Sequence, residues 1–244
     1  MGRLEGRHIV VTGAASGMGK AIAERFAAEG AALALLDWNQ AGVMAVAAAV
    51  SAHGYQCDVS DRAQVTDVIA RAAAAMGGID GIVNGAGVLD IKPFGDLSPE
   101  SWDRMIAINM TGPFNIVHAA LPHLRAAPGA TIVNISSVSG IMPMAGTSGY
   151  SASKAGTLMW TRCLAMDLGP DIRANAILPG VIETEMTRYI LADPDHAKAA
   201  ADRVALKRLG HTDDIVRAAL FYSTEDSSFS TGTALPVDGG FSWR

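Results

Sequence analysis

His8-Ile-Val-Val-Thr12 runs straight into Gly13-Ala-Ala-Ser-Gly17-Met-Gly19 and then into an Ala-rich stretch. A short unbroken apolar run followed by glycines reads as a buried strand, a tight turn and the start of a helix. Strand, glycine turn and helix together make an anion site. Bare glycine backbone lets N–H groups approach a pyrophosphate, and the helix N-terminus adds a favourable dipole. The spacing here is G-x-x-x-G-x-G, which differs from the G-x-G-x-x-G of ordinary dinucleotide folds.

Working outward, the same alternation continues to the end of the chain. Strand-like runs at residues 8–12, 32–36, 55–58, 81–84, 131–135, 173–178 and 234–237 are separated by helical patterns. The runs are apolar throughout rather than alternating, which predicts a parallel sheet covered by helices on both faces. Ser98-Pro99 predicts an N-cap with proline at the first helical position, and Thr212-Asp-Asp opens another helix. With 244 residues and no repeat or linker, the chain reads as one α/β domain over residues 1–244. In such sheets a ligand lies at the carboxyl ends of the strands, where the strand order switches.

Composition removes several function classes. A net charge of −5 gives no electrostatic reason to expect nucleic acid. No apolar run approaches the roughly 18 residues that a membrane span needs. No apolar segment precedes the first strand, so a secretory signal is not expected and the protein is predicted to be cytoplasmic. Cys57 and Cys163 form no C-x-x-C and are expected to be inert buried thiols. The six histidines show no ligand spacing, so no metal is expected.

The chemistry points to Tyr150-Ser-Ala-Ser-Lys154, with Ser137 upstream. Four residues apart on a helix, a phenol and an ammonium project from one face. A free tyrosine titrates near pH 10, and a neighbouring cation is expected to lower it toward a working acid/base.

These features occur in one order: the glycine turn 12–19, Asn84-Gly-Ala-Gly87, Asn109, Ser137, Tyr150-x-x-x-Lys154 and Pro179-Gly180. In that order and spacing the chain resembles the short-chain dehydrogenase/reductase family, from Gly6 to the Val237-Asp-Gly-Gly240 ending. The resemblance implies a Rossmann-type, doubly wound parallel sheet of about seven strands. It implies Tyr150 as general acid/base, Ser137 holding the substrate oxygen, and Lys154 bonding the nicotinamide ribose. Asn109 would kink its helix and help hold a proton-relaying water. The implied cofactor site comprises Gly13, Ser16, Gly17, Met18, Gly19, Asp37, Trp38, Asp58, Val59, Asn84, Ala86, Gly87, Tyr150, Lys154, Pro179, Gly180, Ile182 and Thr184. The Gly85 position departs from the family's usual Asn.

Asp37 ends the second strand, where an acid accepts from both ribose hydroxyls and repels a 2′-phosphate. Ala14, Ala15, Ser16, Trp38 and Asn39 bring no positive charge to the positions where NADP-preferring members carry one, so NAD is the predicted cofactor. Residues 183–210 interrupt the strand–helix pattern and correspond to the family's substrate lid. Soft apolar residues in 141–144, with Met186, Tyr189, Ile190 and Leu191, predict a hydrophobic secondary alcohol or its ketone. Phe241 and Trp243 are further pocket candidates. A 3-oxoacyl carrier-protein reductase is the alternative, against which stands the single cation in Arg125-Ala-Ala-Pro-Gly-Ala before strand five. A non-catalytic NAD sensor is a weaker alternative, because such relatives lose the Tyr or the Lys. The family commonly forms tetramers, and Thr157, Met159, Trp160, Cys163 and Leu164 supply apolar surface on the Tyr150 helix, predicting a homotetramer.

Overall fold

The computed structural model describes residues 2–243. Seven parallel strands form one sheet: β1 (His8–Thr12), β2 (Ala32–Asp37), β3 (His53–Gln56), β4 (Gly81–Asn84), β5 (Ala130–Ile135), β6 (Ile172–Pro179) and β7 (Ala234–Val237). Their spatial order is β3-β2-β1-β4-β5-β6-β7, so the order reverses between β1 and β4. That reversal opens a crevice above the C-terminal ends of these two strands, directly over the glycine turn.

Helices α1 (Gly17–Ala28), α2 (Gln40–Ala49) and α9 (Thr212–Ser223) cover one face; α3 (Arg62–Met76), α5 (Gly112–Ala126) and α6 (Ser148–Leu168) cover the other. The strands feed both layers. Ile9 and Val11 pack with Phe26 and Ile215, whereas Val10 packs with Ile69 and Ile116, as side-chain alternation requires. Three shorter helices lie above the sheet: α4 (Pro99–Ile106), α7 (Arg188–Leu191) and α8 (Pro194–Asp202).

Local chemistry sets the helix starts. Ser98 Oγ accepts from the Ser101 amide at 3.2 Å, and Pro99 fills the first helical position. The Asp214 carboxylate accepts from the His211 amide at 2.9 Å at the head of α9, and a bond from Arg208 helps hold that carboxyl down to about 2. The two feet of the 183–210 segment are tied together. Ile182 and Gly210 form a one-residue parallel bridge, with Glu183 N–H donating to the Gly210 carbonyl and Gly210 N–H to that of Val181.

One strand lies upstream of its expected place. β3 spans His53–Gln56, not 55–58, because it is an edge strand whose register is set only by β2, from Ala34↔His53 to Asp37↔Gln56. The Cys57 amide adds one more bond to the Asp37 carbonyl, and Asp58 lies beyond the strand. Among the described residues, no helix is long and apolar enough to cross a membrane, and no cluster of side chains has the make-up of a metal site.

Candidate active site

The crevice between β1 and β4 is a cleft of about 410 Å³. It brings together Gly13, Ser16, Gly17, Met18, Gly19, Asp37, Trp38, Asp58, Val59, Ala86, Gly87 and Thr184, all singled out from the sequence. The glycines leave the loop backbone bare. A methyl on Gly13 would lie 2.8 Å from the Ala86 backbone, and one on Gly19 would lie 2.1 Å from the Gly13 carbonyl oxygen. Gly17 has φ +53°, and α1 carries no acid in its first turn to neutralise its positive end. The Thr12 hydroxyl accepts from the Gly85 and Ala86 amides, each at 3.1 Å, fixing the exit of β4 against the end of β1.

Asp37 closes the far end of the cleft. Its carboxylate accepts from the Ala15 amide at 3.0 Å and the Asn39 amide at 2.9 Å, binding the glycine loop to the end of β2. Each carboxylate oxygen keeps a free lone pair for a further donor. Asp58 accepts from the Ser60 amide and hydroxyl, and Asp61 caps α3 through the Ala63 and Gln64 amides. Burial, with the charges of Asp58 and Asp61 adding to it, pushes the Cys57 thiol up to about 12 and makes it a poor nucleophile. Cys163, expected inside, is exposed on α6.

Six predicted cofactor residues stand outside the cleft wall: Tyr150, Lys154, Asn84, Pro179, Gly180 and Ile182. Asn84 is buried in the sheet, donating to the Asn134 Oδ1 at 2.8 Å. Pro179 pairs with Val237, and Gly180 packs against Asp238. Ile182 is buried in the core, and its carbonyl accepts from the Thr187 hydroxyl at 2.6 Å.

Ser137, Tyr150 and Lys154 converge next to Gly87, where β5 meets α6. The Lys154 ammonium donates to the Ile135 carbonyl at 2.8 Å and lies 5.8 Å from the Tyr150 ring centre. It is 5% exposed, and burial lowers its pKa to about 8. A methyl on Gly87 would sit 3.5 Å from the Lys154 Nζ and 3.3 Å from the Asn109 Oδ1, so Gly87 adjoins both side chains. Ser137 Oγ accepts from the Ser139 amide at 3.1 Å, which leaves its own hydrogen to donate.

Tyr150 departs from the sequence expectation. Its phenol titrates above the ordinary tyrosine value, not below it. Burial is the main cause, the nearby Tyr189 adds to it, and a hydrogen bond with Ser137 works the other way. The Lys154 ammonium, itself weakened by burial and bonded to the Ile135 carbonyl, does not reverse the shift.

Asn109 sits in a π-helical turn, Ala107–Thr111, that joins α4 to α5. Its side chain is fully engaged. Oδ1 accepts from the Val88 amide at 2.8 Å, while Nδ2 donates to the Val88 carbonyl at 2.9 Å and to Ser153 Oγ at 3.0 Å. The main-chain carbonyl accepts from Thr157 at 3.0 Å. Asn109 therefore staples the chain leaving β4 to α6, with Ser153 bonding on to the Tyr150 carbonyl.

Ile141 and Met144 are exposed near the site, whereas Phe241 packs into the core with Val138, Leu158 and Leu178. Trp243 instead lines a separate cavity of about 520 Å³ beside β7, which contains none of Ser137, Tyr150 and Lys154. Sequence reasoning missed Arg104 and Ile108 on the cleft wall. Their four-residue spacing immediately before Asn109 was the available signal.

A family model described as enoyl-(acyl carrier protein) reductase matches residues 13–242. A 2,5-dichloro-2,5-cyclohexadiene-1,4-diol dehydrogenase of Sphingobium indicum is 36% identical, with 98% of each chain covered. The chain belongs to the short-chain dehydrogenase/reductase family. A 3-oxoacyl-[acyl-carrier-protein] reductase of Thermotoga maritima is 37% identical, again over 98% of each chain. Among solved structures, a gluconate 5-dehydrogenase from Burkholderia cenocepacia in complex with NADP and tartrate superposes with a TM-score of 0.95. It is 31% identical, with 99% of this chain and 97% of that one covered. As a short-chain dehydrogenase/reductase the protein is an oxidoreductase acting on CH–OH groups with a nicotinamide cofactor. The bare glycine loop and a cleft lined from that loop to Asp37 and Val59 fit such a dinucleotide.

Proposed function

We propose that this protein interconverts a hydrophobic secondary alcohol and its ketone, using NAD rather than NADP. The observation that carries the cofactor choice is the Asp37 carboxylate, 8% exposed on the cleft wall and bonded only to backbone amides. Its free lone pairs suit ribose hydroxyls, and its charge opposes a 2′-phosphate.

The bound cofactor supplies hydride chemistry, and the chain manages one proton. Tyr150 is the general base toward an alcohol and the general acid toward a ketone. Ser137, pinned by the Ser139 amide, directs its hydrogen to the substrate oxygen and stabilises charge developing there. Lys154 serves the nicotinamide ribose and, as a cation, favours the phenolate. Asn109 is assigned a positioning role, holding the Gly87–Val88 backbone against α6. Residues 183–210 are assigned as the substrate lid, with Met186 on the cleft wall and Tyr189 near Tyr150. The apolar character of Ile141, Met144 and Met186 supports a hydrophobic substrate, as does the ring diol named for the Sphingobium relative.

A homotetramer of about 100 kDa is proposed from the outer face of α6. Thr157 and Leu164 belong to the core, but Met159 and Met166 stand exposed, as do Met110 and Phe114 of the preceding helical stretch. Apolar surface gathered this way is what a subunit contact covers.

The direct test follows NADH absorbance over a panel of cyclic and acyclic secondary alcohols and ketones, with 3-oxoacyl thioesters as a separate arm. Turnover confined to the thioesters would replace the alcohol reading by the carrier-protein reductase suggested by the Thermotoga relative. No turnover on any arm would leave the catalytic reading without support.

A further inference from the structure

The cleft wall carries three carboxylates, Asp37, Asp58 and Glu185, and one cation, Arg104. For a site that takes an anionic dinucleotide, this is an unfavourable balance unless the cation is placed to act. The acids of the wall, and Asp90 on the chain leaving β4, already have partners. Asp37 accepts from two backbone amides, Asp58 from Ser60, Glu185 from Arg188, and Asp90 from Ser101 and Lys92. The Arg104 guanidinium is claimed by none of them.

Its mounting is firm. Arg104 lies in the last turn of α4, immediately before the π turn, and lines the same cleft as Ile108 and the glycine loop. Asn109, at the centre of that π turn, bonds both main-chain groups of Val88 and is tied through Ser153 to α6. The end of α4 is thus anchored to the strand exit that forms the cleft floor. Arg104 is a flexible exposed arm on a fixed base.

We propose that Arg104 binds the diphosphate of the dinucleotide from the α4 wall, supplementing the backbone amides of the glycine loop. This rests on the cleft being the cofactor site. The diphosphate is the group of the dinucleotide that carries concentrated negative charge, and a guanidinium matches phosphate oxygens with two parallel donors. The uncharged adenine and the ribose hydroxyls would fall to Asp37, Trp38 and Val59, which line the same cleft. Without Arg104 the only charged side chains on the wall would be acids.

Trp38 stands 77% exposed on the cleft wall, so quenching of tryptophan fluorescence reports occupancy without turnover. Wild type, Arg104→Gln and Arg104→Glu would be titrated with ADP, adenosine and NAD at two salt concentrations. The glutamine variant should bind ADP and NAD about tenfold more weakly and adenosine within about twofold of wild type. The glutamate variant should lose more than the glutamine variant, and the salt dependence of ADP binding should flatten in both. Unchanged ADP affinity in Arg104→Gln would overturn the proposal while leaving the cofactor site intact. An equal loss for adenosine would also overturn it, by assigning the arginine to the base. Wild-type protein that binds neither ADP nor NAD would overturn the underlying reading of the cleft as well.

Discussion

Arg7 and Lys154 are cations enclosed at opposite ends of one sheet. At the N-terminal end, Arg7 Nε meets Asp80 at 2.6 Å, and its other nitrogens reach the Ser223 and Asp80 carbonyls and the Thr131 hydroxyl. Asp80 in turn accepts from the His8 amide at 2.9 Å. Every charge there has its counterpart. At the C-terminal end, Lys154 is more deeply buried and has one carbonyl, that of Ile135, and no carboxylate. A charge that is fully answered within the protein holds the fold; one left short of partners is available to a ligand. The stability of the sheet is anchored at one end, and its reactivity is kept at the other.

The largest effect should come from breaking the satisfied end. Asp80→Ala strips Arg7 of its carboxylate and His8 N–H of its acceptor, and should cost about 3 kcal/mol of stability, read from urea midpoints. NAD affinity of the folded fraction should stay within about twofold of wild type. A small stability loss would show that this network is an ornament of the surface and would erase the contrast.

At the reactive end, Tyr150→Phe should keep ring packing and stability while turnover falls at least about a hundredfold. NAD binding should scarcely change. Wild-type turnover in this variant would remove Tyr150 from the chemistry.

Smaller in size is cofactor choice. NAD should be preferred over NADP by at least about tenfold, and Asp37→Ala should narrow the gap mainly by losing NAD affinity. Comparable affinities in the wild type, measured by titration, would argue for the NADP use seen in the Burkholderia gluconate 5-dehydrogenase complex.

The finest test concerns the unpaired charge itself. The folded-state pKa of Lys154, about 8, lies below the ordinary lysine value of 10.5. Between these values the unfolded chain holds more protons, so this group's contribution to stability rises as pH climbs from about 8 toward 10.5. Lys154→Met removes the contribution. Between pH 7 and 9 the wild type should gain on the variant by something on the order of 1 kcal/mol in urea unfolding. A pH-independent difference would mean that Lys154 is not held against its ionisation.

Much of this was legible in the residues because the relevant physics is local. Apolar runs gave six of the seven strands within one residue at either end, and the glycine turn fell at the switch point. β3 slipped because an edge strand takes its register from one neighbour, which no apolar run records. Arg104 escaped notice because a single charge on a polar helix face looks like solvent decoration until the fold lays that helix over the cleft. The Tyr150 shift was misjudged for a related reason. Spacing shows that a cation is close, but only packing shows how much water both groups have lost.

The bridge between Ile182 and Gly210 has a consequence for how such a chain diversifies. Two hydrogen bonds join the feet of the 183–210 segment. Val204, packed with Leu178 and Phe241, and the Leu206 amide, bonded to the Gly239 carbonyl, tie its second half to the core. Only the stretch before them therefore enters core stability mainly through loop-closure entropy. Doubling such a loop costs only about 0.6 kcal/mol. The exposed residues of α7 and α8 are therefore exchangeable as a cassette, while Thr187, whose hydroxyl holds the Ile182 carbonyl, and Val204, packed in the core, belong to the clasp rather than to the cargo.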